Sequence, residues 1–177
     1  MFDPTAFDNM KVVVEGALYD LDLSGEIVIT DRNDIINMAK MSRSFDIDFH
    51  NSSTQPAIVT AKLEIKAELI NLAAELMPNS LAQQQSGCTI KLQFFYDTIT
   101  DEAQLQRIRE IFFDIWGGTR QFSQSVTITP SKSLIRNCIS IEFARLISED
   151  QLDDLVEMVD FMIKTNEHLQ SYLREIC

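Results

Sequence analysis

The alternation of apolar and polar positions is clearest past the middle of the chain. Apolar residues alternate with polar ones from Cys88 to Tyr96, which predicts a strand. Leu105, Ile108, Phe112 and Ile115 then recur at three- and four-residue spacing, which predicts a helix with Thr100 as its N-cap and these side chains turned inward. Gly117 and Gly118 end it, since glycine adopts the left-handed conformation that closes a helix at little cost. Strands near Phe122 to Thr129 and Leu134 to Arg145, punctuated by Pro130, are expected to pair as a hairpin. Ser148-Glu149-Asp150-Gln151 has the form of a capping box and opens the longest helix, reaching almost to Cys177.

Upstream the pattern admits two readings. Ile58, Ala61, Ile65, Leu69, Leu72 and Leu76 fall at helical spacing in a stretch that ends at Pro78, so a helix is expected. Val59, Ala61, Leu63, Ile65, Ala67 and Leu69 also alternate with polar residues, and residues 57–66 can equally be a strand. Before them, Val12 to Tyr19 and Glu26 to Thr30 read as a hairpin turned at Ser24-Gly25, and Asp34 to Met41 as a short helix. Phe45, Ile47 and Phe49 alternate with Asp46, Asp48 and His50, the pattern of a strand with one buried face.

The order β, α, β, β, α implies an α+β fold: a mostly antiparallel or mixed sheet covered by helices, with a long C-terminal helix. The C-terminal half would be ferredoxin-like if a further strand precedes it. At 177 residues the chain fits a single domain, 1–177; the polar stretch Asn51 to Pro56 is the one place to divide it, into an N-terminal subdomain 1–52 and a main unit 57–177.

Composition narrows the function classes. The net charge of -12 is spread along the chain with no Lys/Arg cluster, so nucleic acid and anionic membranes are not expected partners. No apolar run approaches the ~18 residues of a membrane span, and the N-terminus lacks the basic and apolar regions of a secretory signal, so a cytoplasmic location is expected. Cys88, Cys138 and Cys177 show no CxxC spacing and are read as reduced thiols, the first two inert within strands.

Candidate chemistry is sparse. Asp20, Asp22, Ser24 and Asp31, with Gly25 between, stand at EF-hand offsets, where alternate oxygens converge on a hard cation and glycine allows the bend. Asp31 replaces the usual terminal Glu, Leu21 and Leu23 depart from the polar pattern, and a hairpin accounts for the same residues. Asp46, Asp48 and His50 lie two apart on one strand face and could offer a divalent metal two carboxylates and an imidazole; the solvent face of an amphipathic strand is the plainer explanation. Only His50 and His168 could serve a nucleophile as base, and no GxSxG elbow, P-loop or GxGxxG is present. Gly117-Gly118-Thr119-Arg120 follows a helix, whereas phosphate loops precede one.

The C-terminal helix carries more apolar surface than a single contact needs. Leu152, Leu155, Val156, Val159, Met162, Ile163, Leu169 and Leu173 form one stripe, and Met158, Phe161, Thr165 and Tyr172 an adjoining face. That face suits either another element of the chain or a second subunit. The expectation is therefore a non-catalytic cytosolic protein-association module, forming a homo-oligomer or binding another protein and using no cofactor. The alternatives are a protein binding calcium or another divalent cation through the acidic N-terminal loop or strand, and an enzyme of unidentified type.

Overall fold

Every second residue of Val59–Ala67 is apolar and buried, and this strand lies between two others, which supply ladder partners along most of its length. The computed structural model describes residues 5–53, 56–77, 84–98, 101–131 and 135–176. Its elements in chain order are α1 (Ala6–Ser24), β1 (Ile27–Asn37), β2 (Ser42–Asn51), β3 (Val59–Ala67), α2 (Leu69–Ala74), β4 (Thr89–Thr98), α3 (Glu102–Trp116), β5 (Gln121–Thr127), β6 (Ile135–Glu142), a single 3-10 turn (Glu149–Gln151) and α4 (Leu152–Ile176). The six strands form one sheet in the order β1-β2-β3-β4-β6-β5, and every neighbouring pair is antiparallel. The fold is α+β.

In the C-terminal half, β6 lies between β4 and β5 and is antiparallel to both, so the two strands joined through α3 run parallel to each other. This is the split β-α-β arrangement of a ferredoxin-like unit. Here β3, which precedes the unit in sequence, takes the place beside β4.

One face of the sheet holds the core. Phe45, Leu63, Leu92 and Ile141 project from β2, β3, β4 and β6 to the same side, where Phe7, Met10, Val14 and Leu18 of α1 and Leu155, Met162 and Leu169 of α4 meet them in one buried cluster. The α3 helix closes the far end of that face, with Phe112 edge-on to Phe94 at 5.1 Å. The opposite face carries Lys62, Glu64, Lys91, Gln93 and Cys138 and is only half buried.

Three expectations are corrected. Residues 6–24 are helical, so no hairpin turns at Ser24-Gly25; Gly25 is instead the left-handed C-cap of α1, with φ 81°. The helix wins because Phe7, Met10, Val14 and Leu18 bury one stripe on the sheet, a gain the hairpin lacks. Asp34 to Met41 forms the end of β1 and a turn, not a helix: Ile35, Ile36 and Asn37 pair with β2, and the Asn37 side chain accepts from the Ala39 and Lys40 amides at 3.1 Å. The helix expected from Ile58 is β3 followed by the one-and-a-half-turn α2, because a strand with neighbours on both sides pairs most of its backbone while burying one face.

The helix after β4 spans Glu102–Trp116 with Ile108, Ile111, Phe112 and Trp116 buried, while Leu105 and Ile115 are only partly covered. Its end at Gly117 has φ 74° and ψ 168°, a positive-φ turn other than the left-handed cap expected, with the amide still bonded to the Phe113 carbonyl. The capping box of Ser148 and Gln151 is present. In the apolar stripe of α4, Val156 is exposed. Thr100, Pro78, Leu134 and Cys177 lie outside the described residues.

Candidate functional site

The half-buried sheet face brings together residues distant in sequence. Asp46 and Asp48 of β2 point to that face beside Lys62 of β3, whose Nζ lies 3.0 Å from Asp46 and 3.1 Å from Asp48. The Asn33 amide donates to Asp46 at 3.1 Å and to Asp31 at 3.0 Å, so Asp31 joins the same group. Burial pushes the Asp48 carboxyl above its ordinary value, and the negative charges of Asp46 and Asp31 push it the same way against the pull of Lys62. Burial works against the Lys62 charge, but its hydrogen bonds to the two aspartates outweigh it and hold the ammonium above the ordinary lysine range. A lysine thus occupies the place a cation would take between these carboxylates. His50 shares the face, and its Nδ1 lies 3.2 Å from the Asn51 carbonyl. Among the described residues no group of three His, Cys, Asp or Glu is placed to hold a metal ion.

The EF-hand candidates are separated by the helix. Asp20, Asp22 and Ser24 sit on the last turn of α1, and Asp31 lies in β1 beyond the bulge between Ile29 and Asp31. Asp22 accepts from the Ile29 amide at 3.1 Å, and the Ser24 hydroxyl donates to the Leu21 carbonyl at 2.9 Å. The first bond ties α1 to β1, and the second closes the end of α1 on itself.

The cysteines and histidines do not meet. Cys88 is fully buried, and burial lifts its thiol to about 12. Cys138, expected to be buried by its strand, is half exposed on the open sheet face, where its Sγ accepts from the Gln93 amide at 3.5 Å. His50 shares that face, but three strand spacings, about 14 Å, separate β2 from β6. His168 is exposed on α4, on the other side of the sheet.

The adjoining face of α4 is covered by the same chain. Met158 is buried, Phe161 packs on Trp116 with ring centres 5.6 Å apart, and Thr165 is fully buried beneath that indole. Tyr172 is partly covered. The α3 helix therefore takes the place offered to a second subunit.

A different surface emerges at the sheet's far edge. A groove of about 470 Å³ runs between α3 and β5, lined by Arg109, Phe112, Phe113, Phe122, Gln124 and Ile139. Phe113 is 59 % exposed and Phe122 37 %, and Val126 of the strand and Ile128 just past its end are 43 % and 70 % exposed, so apolar side chains continue out of the groove. No described strand pairs with the outer edge of β5. The strand has no bulge and no charged residue. The opposite edge of the sheet is guarded: β1 carries a bulge and Asp31, Arg32 and Asp34, the features that discourage edge-to-edge pairing. Sequence reasoning found β5 as a strand but not as an edge; the absence of charge from Gln121 to Pro130 is shared by longer stretches such as 76–90 and gave no distinguishing signal.

No helix among the described residues is long and apolar enough to cross a membrane. The chain matches none of the family models, curated proteins or solved structures with which it was compared.

Proposed function

We propose that the protein is a non-catalytic cytosolic association module that acts by binding protein, in the first place further copies of itself. The observation that carries this reading is the contrast between the two sheet edges. An unguarded, uncharged edge strand beside an open apolar groove is the arrangement to which an extended segment of another chain can add, with main-chain hydrogen bonds for affinity and alternate side chains in the groove for selectivity. An uncharged edge without a bulge is an aggregation hazard that the bulged and charged opposite edge avoids, and pairing it would remove that hazard. The spread acidity supports a protein partner over nucleic acid.

Sedimentation equilibrium tests the reading. A mass above the 20.2 kDa of one chain, falling on dilution through the micromolar range, is the expected result. A single-chain mass at every concentration overturns self-association.

A further inference from the structure

We infer that the occupant of the open edge is the β5 strand of a second copy, paired antiparallel about a two-fold axis at Gln124 to give a continuous twelve-stranded sheet. The inference rests on the association reading above and specifies its partner and register.

A two-fold interface must be self-complementary, because every contact of one residue with a second on the other copy is repeated with the two copies exchanged. The β5 strand meets this demand in its own sequence. With Gln124 opposite Gln124, Phe122 stands opposite Val126, Ser123 opposite Ser125, and Gln121 opposite Thr127. An aromatic side chain beside a β-branched one is a favourable cross-strand pair, and it occurs on both sides of the axis.

The faces agree as well. Phe122 meets the Phe112 ring edge-on at 6.2 Å, so Phe122, Gln124 and Val126 point toward the helices, while Ser123 and Ser125 point to the open face. A register displaced by one residue would set helix-side residues against open-face ones. One displaced by two, centred on Ser125, would oppose Gln124 to Val126 on the helix side and carry the pairing past the end of the strand. Centring on Gln124 keeps apolar against apolar, polar against polar, and all seven residues in the ladder.

Charge does not oppose pairing at this place. Two copies carrying -12 each repel over most of their surfaces, yet nothing from Gln121 to Pro130 is ionisable. The two grooves between α3 and β5 then lie side by side on the helix face of the joined sheet, with the exposed Phe113 of each copy bordering them.

Disulfide trapping tests the register in the full chain, with Cys138 and Cys177 replaced by serine. Strand residues directly opposed across an antiparallel pair lie within disulfide reach. Gln124→Cys is expected to form a covalent dimer under mild oxidation. Ser125→Cys alone should stay monomeric on the denaturing gel and cross-link when mixed with Ser123→Cys. Val126→Lys and, separately, Thr127→Lys should give folded chains by circular dichroism that sediment as monomers, while Ile36→Lys, on the guarded edge, leaves the dimer intact. A dimer that persists in both lysine variants, or that fails to cross-link at Gln124, overturns the pairing and leaves self-association standing. A wild-type monomer in sedimentation overturns both.

Discussion

The indole Nε1 of Trp116 donates a 3.0 Å hydrogen bond to the hydroxyl of Thr165, which in turn donates to the Phe161 carbonyl at 2.7 Å. This short chain of donors fixes α3 on α4 and satisfies the indole where water cannot reach it. Thr165→Val keeps the volume and removes the acceptor, so a buried N–H is left unpaired, at a cost of roughly 1–3 kcal/mol. Thr165→Ser keeps the acceptor and should cost less. Trp116 is the sole tryptophan, so its emission during urea unfolding reports the difference. Equal stability of the two variants would show that the bond contributes nothing.

Lys62 lies between two carboxylates that face each other's charge. Lys62→Met leaves the buried Asp46 and the partly buried Asp48 unneutralised. The expected loss is roughly 1–3 kcal/mol, below that of a fully buried pair because all three groups keep some contact with water. Asp48→Asn should be nearly neutral at neutral pH, since burial already disfavours the charged form of that carboxyl. Denaturant unfolding should find the double variant more stable than Lys62→Met alone.

The carboxyls make opposing contributions to the pH dependence of stability. Glu75 is raised above 4.5, chiefly by burial, although it accepts the Ala6 amide at 3.0 Å. Its folded form favours the proton, so its contribution is fully present below 4.5 and is lost as pH rises through the higher folded value. For Asp8, burial pushes upward, but hydrogen bonds from Thr5 and Arg43 outweigh it and lower the carboxyl below 3.8. Its contribution is present above 3.8 and disappears as pH falls through the lower folded value. Glu75→Gln, which retains an acceptor for Ala6, should therefore hold or gain stability at neutral pH and lose part of the gain seen on mild acidification. Asp8→Asn should weaken the protein at neutral pH and make little difference well below 3.8. Melting temperatures across the pH range distinguish the two signs.

Thiol labelling should separate the cysteines by burial. Cys88, with its thiol near 12 and no exposed surface, should react only when the chain unfolds. Cys138 should react in the native protein, more slowly than in denaturant, because the open sheet face leaves it half exposed. Mass spectrometry of the labelled peptides identifies each site. Equal native rates would contradict this placement.

The parts legible in the sequence were those whose local period matched their final surroundings. Phe45, Ile47 and Phe49 alternate because one side of β2 meets helices and the other does not, and the stripe of α4 follows the helical period for the same reason. Residues 59–67 carry both periods at once, and only the strands on either side select the shorter one. The helical spacing of Phe7, Met10, Val14 and Leu18 was present in α1, but the Ser-Gly pair after it has the same composition whether it closes a helix or turns a hairpin. For the site, Asp46 and Asp48 were rightly placed on one face. Lys62, between them in space, is sixteen residues from Asp46 in sequence and gave no local sign. Strand order was invisible as well, and without it no reading of Gln121–Thr127 could distinguish an edge from an interior strand.

The packing of α1 against α4 joins residues 6–24 to residues 152–176 in one core. During synthesis the first helix can settle on β1 and β3 as they emerge, but the part of its core that α4 completes must wait for about 130 further residues, on the order of ten seconds at usual rates of translation. The strands β1, β2 and β3 can pair with their sequence neighbours in that interval, but the sheet face that α4 covers stays wet until the last helix is made. Completion of the fold is thus timed by translation of the C-terminal helix, and the nascent chain is exposed to chaperones and to mispairing until then.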